Sequence, residues 1–76
     1  MSKIPVLSYI KVIKALQRLG YVVVRQKGSH IRVQKKDENG ITKKTTIPAH
    51  NPIKRNTLRQ ILKQLNIDLE DFMKEL

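Results

Sequence analysis

The sequence contains no cysteine, which excludes disulfides, zinc–thiolate sites and thiol nucleophiles together. Aromatic residues are scarce, with two Tyr, one Phe and no Trp, so a platform of rings for stacking bases is poorly supported. The longest apolar runs cover about four residues, as in 21–24, which is too short for a membrane span or a signal peptide. We expect one small domain over residues 1–76 and a cytoplasmic location.

Acidic side chains are also few. Sixteen Lys and Arg stand against six Asp and Glu, which gives a formal net charge of +10. Residues 1–67 hold fifteen of the basic side chains but only Asp37 and Glu38 as acids, a local net charge of +13. Solubility of a small domain requires a net charge of only about 2 to 8. A body this basic is typical of proteins that work on an anionic polymer, although a merely solvated surface is the alternative.

Several catalytic motifs are missing. The three glycines form neither a G-x-x-x-x-G-K-[ST] phosphate loop nor a G-x-G-x-x-G nucleotide fingerprint. The carboxylates are not grouped to hold a divalent cation, and two histidines far apart in the sequence make a weak metal site. Nothing indicates a buried acid beside a histidine, which a serine triad would need. We therefore expect no metal and no cofactor.

Helical periodicity marks three segments. After Ser8, a candidate N-cap, apolar residues recur at helical spacing up to Gly20, which we interpret as a left-handed C-terminal cap. A second amphipathic helix is predicted between an N-cap at Asn56 and a C-terminal cap at Asn66, because its apolar residues recur at i, i+3, i+4 and i+7. A spacing like that of a capping box, beginning at Asp68, predicts a short last helix.

The chain between the first two helices predicts three strands. Residues 21–25 are a β-branched run, residues 30–35 alternate after a turn at 26–29, and residues 41–47 return after a loop that ends in Asn-Gly. We expect an α+β fold: a helix, a three-stranded antiparallel sheet, a second helix and a short C-terminal helix. Helices that cover one face of the sheet would leave the other face open to solvent.

Alternation along the second strand decides which side chains the open face carries. Ile31 and Val33 point toward the helices, so His30, Arg32 and Gln34 point toward solvent. An imidazole on a basic surface can take a proton from a ribose 2′-hydroxyl or give one to a leaving 5′-oxygen, which cleaves RNA without a metal. The plainer alternative is a solvent-facing histidine, or one that only hydrogen-bonds to phosphate.

Several side chains predicted near His30, and one in the loop after the third strand, suit an RNA phosphate. Cations can stabilise the charge that develops on a pentavalent phosphate, a glycine permits close approach of the backbone, and a serine offers a hydroxyl and an amide. For His50, the histidine in that loop, we expect contact with phosphate and not a catalytic role. The residues that we expect to bind RNA in these ways are Lys27, Gly28, Ser29, Arg32, Lys35 and His50.

Several segments resemble the HicA family of toxins, the small mRNA interferases of bacterial and archaeal toxin–antitoxin pairs. They are Leu19-Gly20-Tyr21, Arg25-Gln26-Lys27-Gly28-Ser29-His30, Ile47-Pro48-Ala49-His50 and the stretch from Lys54 to Leu62. The resemblance extends from about residue 9 to residue 72. Two positions depart from it, since Ile31 stands where many relatives carry a second histidine or an aromatic residue, and Asn56 where glycine is frequent.

The resemblance implies a fold similar to a double-stranded-RNA-binding domain, in agreement with the predicted elements. It also implies a toxin of a type II toxin–antitoxin system, a metal-independent endoribonuclease that cleaves mRNA with His30 as its catalytic residue. A cognate HicB-like antitoxin, an acidic partner, would cover the active face, so we expect a free monomer and a heteromeric complex with the antitoxin. The alternatives are a non-catalytic RNA-binding module and, with less support because no helix-turn-helix spacing surrounds the second helix, a DNA-binding protein.

Overall fold

The computed structural model describes residues 4–76, in which three helices accompany one sheet. The strands form a single antiparallel sheet in the order β1–β2–β3. This arrangement confirms the predicted α+β fold, which is like that of a double-stranded-RNA-binding domain. The elements in chain order are α1 (Tyr9–Arg18), β1 (Val22–Lys27), β2 (His30–Lys36), β3 (Thr42–Pro48), α2 (Arg55–Leu65) and α3 (Leu69–Met73).

The ends of α1 follow from local chemistry. The Ser8 Oγ accepts a hydrogen bond from the backbone N–H of Lys11 at 3.2 Å, which confirms the predicted N-cap. The N–H of Tyr9 donates to Asn51 Oδ1 at 3.0 Å, so the loop after β3 satisfies a second free donor of the helix. Gly20 follows the helix with a φ of 98°, a backbone conformation that residues other than glycine rarely adopt.

The start of α2 differs from the prediction. Its N-cap is Lys54, which makes no side-chain capping bond, and Asn56 lies inside the first turn. The reason is a tertiary contact: buried Ile53 donates its N–H to the carbonyl of Leu7 at 2.7 Å and fixes the chain just before the helix. At the other end Asn66 is the C-terminal cap, as predicted, and its φ of 54° and ψ of 44° place it in the left-handed conformation.

The core lies between the helices and one face of the sheet. Ile31 and Val33 of β2 are buried, His30 and Arg32 are exposed, and Gln34 is half-buried, so the predicted open face is confirmed at His30 and Arg32 and less fully at Gln34. The apolar stripes of α1, α2 and α3 cover the other face and are removed from water there. The largest fully buried side chains are Phe72, Leu16, Ile47, Ile53, Leu58, Leu65, Val12 and Val33.

β1 differs most from its prediction. The strand continues through Gln26 and Lys27, which the sequence assigned to a turn, and the turn shrinks to Gly28 and Ser29. A β-bulge at Val24 makes this possible because it adds one residue to β1 relative to β2. β2 extends one residue further, to residue 36, and β3 is shifted by one residue at both ends, to 42–48.

Candidate active site

The hairpin between β1 and β2 forms one side of a cleft of about 650 Å³ on the open face of the sheet. The structure brings together His30 and four of the six residues that the sequence predicted to bind RNA. It adds two residues that were not predicted, one from β1 and one from β3. The lining residues are Arg25, Lys27, Gly28, Ser29, His30, Arg32 and Thr46.

The register of the sheet explains why these side chains share one face. In an antiparallel pair, directly opposed residues project to the same side with Cβ atoms about 4.5–5.5 Å apart. Lys27 lies opposite His30. In the next row that faces the open side, two residues along, Arg25 lies opposite Arg32, which in turn lies opposite Thr46. These two rows of the open face therefore carry one imidazole and three cations.

Arg25 lines the cleft, but the sequence analysis did not include it among the site residues. Tyr21 and Val23 lie on the covered side of the sheet, so strict alternation would place Arg25 on that side too. The extra residue Val24 reverses the alternation and turns Arg25 and Lys27 to the open face. Nothing in composition or periodicity signals this bulge. The one available signal was the position of Arg25 in the segment that resembles the HicA family.

The hairpin turn is held against the end of β3. Gly28 has a φ of 57°, and positive φ occurs only at this first position of the two-residue turn, as in type II′ hairpins. The carbonyl of Ser29 accepts a hydrogen bond from the N–H of Ala49 at 2.7 Å. Because β1 and β3 both pair with the strand that begins at His30, the backbone that carries the imidazole is fixed on both sides.

The cleft is electropositive. Among residues 4–76 the one ion pair joins Lys74 to Asp71 at 4.0 Å, so no described carboxylate neutralises the cleft cations. Arg25 directly opposite Arg32 is a like-charge pair, and such pairs disfavour a sheet by roughly 0.2–1 kcal/mol. These neighbouring cations, which no described acid neutralises, make the cleft suited to binding an anionic ligand.

Two of the predicted RNA contacts lie outside the cleft. Lys35 is on the covered side of the sheet, where its Nζ donates to the carbonyl of Leu19 at 2.8 Å and lies 5.8 Å from the centre of the Tyr21 ring. Burial raises the pKa of the Tyr21 hydroxyl. His50 is exposed and lines a separate groove of about 420 Å³ beside Lys54. Contact of Lys35 and His50 with RNA stays a prediction.

The cleft continues across the sheet toward α2. A second groove, of about 330 Å³, shares Arg32 and Thr46 with the cleft and extends it to Lys44 and Gln64. The hydroxyl of Thr45, which is buried, hydrogen-bonds to the side chain of Gln64 and ties β3 to α2 at this edge. The open face thus offers a track that is longer than one phosphate.

Two further properties concern residues 4–76 as a whole. In this part of the chain, no three His, Cys, Asp or Glu side chains come together as a group that could hold a metal ion. Within the same range, none of the helices has both the length and the apolar character required to cross a membrane.

The arrangement can be set beside known protein families. The family described as the HicA toxin of bacterial toxin–antitoxin matches residues 10–67, which is more than half of the chain. The chain belongs to the HicA toxin family. Every residue that lines the cleft lies inside the matched span, and membership in HicA implies an antitoxin partner. Neither a curated protein nor a solved structure matches the chain.

Proposed function

We propose that this HicA toxin is an endoribonuclease of the cytoplasm that cleaves mRNA without a metal ion, with His30 as its acid–base group. The observation that supports the proposal is the position of His30, which is exposed in a cleft that it shares with three cations, Arg25, Lys27 and Arg32, and with no acidic side chain. RNA supplies its own nucleophile, the 2′-hydroxyl. One well placed imidazole together with cations around the phosphate is therefore sufficient chemistry.

The reaction is a transfer within the RNA strand. The 2′-oxygen attacks the adjacent phosphorus and forms a new P–O bond, while the bond from phosphorus to the 5′-oxygen breaks. A proton leaves the 2′-hydroxyl and another reaches the 5′-oxygen, so the products are a 2′,3′-cyclic phosphate and a 5′-hydroxyl. His30 takes the first proton or supplies the second, and solvent water exchanges the other proton. Arg25 and Arg32 stabilise the negative charge that builds up on the phosphate oxygens.

Cleavage of a long mRNA in the presence of EDTA tests this proposal. We expect the wild-type protein to cut the RNA and to spare DNA of the same sequence, because DNA has no 2′-hydroxyl. His30→Ala should lower the cleavage rate by about 10² to 10⁴-fold, the usual contribution of a general acid or base. His50→Ala removes an imidazole outside the cleft and is the control; it should lower the cleavage rate far less than His30→Ala, even if His50 contacts phosphate. Circular dichroism checks that both variants are folded.

The outcome also separates the alternative functions. A His30→Ala variant that cuts as fast as the wild type would contradict the catalytic role. Tight, salt-sensitive binding of RNA without cleavage at any pH would instead support a non-catalytic RNA-binding module that uses the same cations. Preference for DNA over RNA of the same sequence in a competition assay would support the DNA-binding alternative.

We further propose that a HicB-like antitoxin neutralises the toxin by covering the cleft in a heteromeric complex. An acidic surface laid over Lys27, His30 and Arg32 excludes RNA phosphate and complements the charge of the cleft. The purified complex should not cleave RNA, and release of the antitoxin should restore cleavage. A complex that is inactive while its His30 still crosslinks to RNA would contradict simple occlusion.

A further inference from the structure

β1 leaves three consecutive valines exposed at the edge of the sheet. Val22, Val23 and Val24 have 54%, 42% and 44% of their surface accessible, and they follow one another on this strand. Within residues 4–76 only β2 pairs with β1, so the outer edge of β1 has no partner strand. An edge with free backbone groups and β-branched side chains is a template for adding another strand.

The opposite edge of the same sheet is protected. β3 carries Lys43 and Lys44, and charged side chains on an edge strand discourage pairing. Thr45 is buried and bonded to Gln64 of α2, so a helix lies against part of this edge. The first three residues of β1 carry no charge at all. β1 has two basic residues of its own, Arg25 and Lys27, so the two edges differ over residues 22–24, where β1 carries no charge.

A second copy of this chain fits the edge poorly. Each copy has a net charge of +10, so two copies that paired edge to edge along β1 would repel each other. The bulge at Val24 also interrupts the regular ladder, which discourages indiscriminate pairing. A strand that suits this edge has apolar side chains for the valines and carboxylates for the cations.

We infer that the outer edge of β1 is the docking site for an extended, acidic segment of the antitoxin, which adds a fourth strand to the sheet. Apolar side chains of that segment cover Val22 and Val24, and its carboxylates lie beside Arg25 and Lys27. Both cations also line the cleft, so a strand docked here brings negative charge next to His30. This inference rests on the proposed antitoxin partner and not on the ribonuclease activity.

The affinity of the wild-type chain for the antitoxin of its own toxin–antitoxin pair tests the inference. In the double variant Val22→Thr/Val24→Thr each side chain keeps its shape and its preference for strands but exchanges a methyl group for a hydroxyl. We expect the dissociation constant to rise by about tenfold or more. The control, Val6→Thr/Ile41→Thr, removes exposed apolar surface outside β1, and its dissociation constant should stay within about threefold of the wild type.

Hydrogen exchange in the complex distinguishes strand addition from mere surface contact. A fourth strand should slow the exchange of backbone amides in residues 22–27 and leave residues 42–48 as they are in the free toxin. Unchanged exchange in 22–27, or equal loss of affinity in the control variant, would overturn the inference. Self-association of the free toxin that Val22→Thr/Val24→Thr abolishes would assign the edge to a second copy and also overturn it.

The ribonuclease proposal is tested separately from this docking site. RNA cleavage by the free double variant should match the wild type, because Val22 and Val24 do not line the cleft. The binding data therefore test whether the antitoxin docks on the β1 edge, whatever the effect of His30→Ala on cleavage. Failure of the antitoxin to bind the wild-type chain would overturn both the occlusion proposal and this inference, while the cleavage assay would still decide the enzyme.

Discussion

Gly28 and Gly40 both have a positive φ angle, but they lie in different surroundings. Their φ angles are 57° and 79°, and a Cβ added to either would meet no atom within 4 Å. Alanine at either position therefore costs backbone strain, on the order of 1 kcal/mol, without a steric clash. Only Gly28 lines the cleft; Gly40 belongs to the distal loop between β2 and β3.

This contrast makes Gly28→Ala and Gly40→Ala a matched pair. Both should lower the free energy of unfolding by about 1 kcal/mol in urea denaturation. Only Gly28→Ala should also slow RNA cleavage, since its methyl group restricts the approach of a phosphate to the turn that precedes His30. Equal cleavage rates in the two variants would show that the backbone at Gly28 does not need to approach the RNA closely.

At the scale of the sheet, like charges face each other twice. Arg25 opposes Arg32 on the open face, and Lys35 opposes Lys43 on the covered side. Relief of either repulsion should raise the free energy of unfolding by roughly 0.2–1 kcal/mol. Thr suits a strand, so the substitutions Arg25→Thr and Lys43→Thr keep the sheet intact.

The two threonine variants should differ in function. Arg25→Thr should weaken RNA binding by about tenfold, since charge-assisted bonds contribute about 1.5–3 kcal/mol each, whereas Lys43→Thr should change it far less. Urea denaturation and RNA binding at one fixed salt concentration measure the two effects. If Arg25→Thr instead lowers the free energy of unfolding, the packing of the aliphatic part of Arg25 on the sheet stabilises the fold by more than the repulsion from Arg32 destabilises it.

The helix termini give a second contrast between elements. Ser8 caps α1 through its hydroxyl, whereas Lys54 at the start of α2 makes no capping bond, and the first turn of α2 has no acid. Ser8→Ala should therefore lower the free energy of unfolding by about 1 kcal/mol, and Lys54→Ser should raise it by a similar amount. Thermal unfolding measures both. If Lys54→Ser brings no gain, the contact of Ile53 with Leu7 already fixes the helix start fully.

Elements governed by local rules were predictable from the sequence. The cap residues Ser8 and Asn66 and the alternation that exposes His30 depend on neighbours a few positions away, and all three predictions are confirmed. Arg25 was not predictable as a cleft residue because its side is decided by the bulge. The bulge lets Tyr21 be buried just before β1 while Arg25 and Lys27 face the open side before the tight turn.

At the scale of the whole molecule, the charges are segregated. Four of the six acidic residues lie in or beside α3, which packs against α1 on the covered side of the sheet. The side chain of Arg18 in α1 donates to the backbone carbonyl of Glu75 at 2.6 Å and helps to hold this acidic end in place. The acids are thus kept away from the cleft, and the field of the molecule should orient an approaching polyanion toward the open face.

The salt dependence of RNA binding should reveal how much of that face the RNA engages. A single strand that contacts about four cations, such as Arg25, Lys27, Arg32 and Lys44, should give a slope of log K against log salt of about −3. Binding would then weaken about fiftyfold between 50 and 200 mM salt, whereas engagement of about ten cations would weaken it by roughly 10⁴-fold. Arg25→Thr should reduce the magnitude of the slope by about 0.7 if this arginine contacts a phosphate. A slope that is steep but unchanged in Arg25→Thr would place the RNA on another basic surface, and binding that is independent of salt would contradict phosphate recognition altogether.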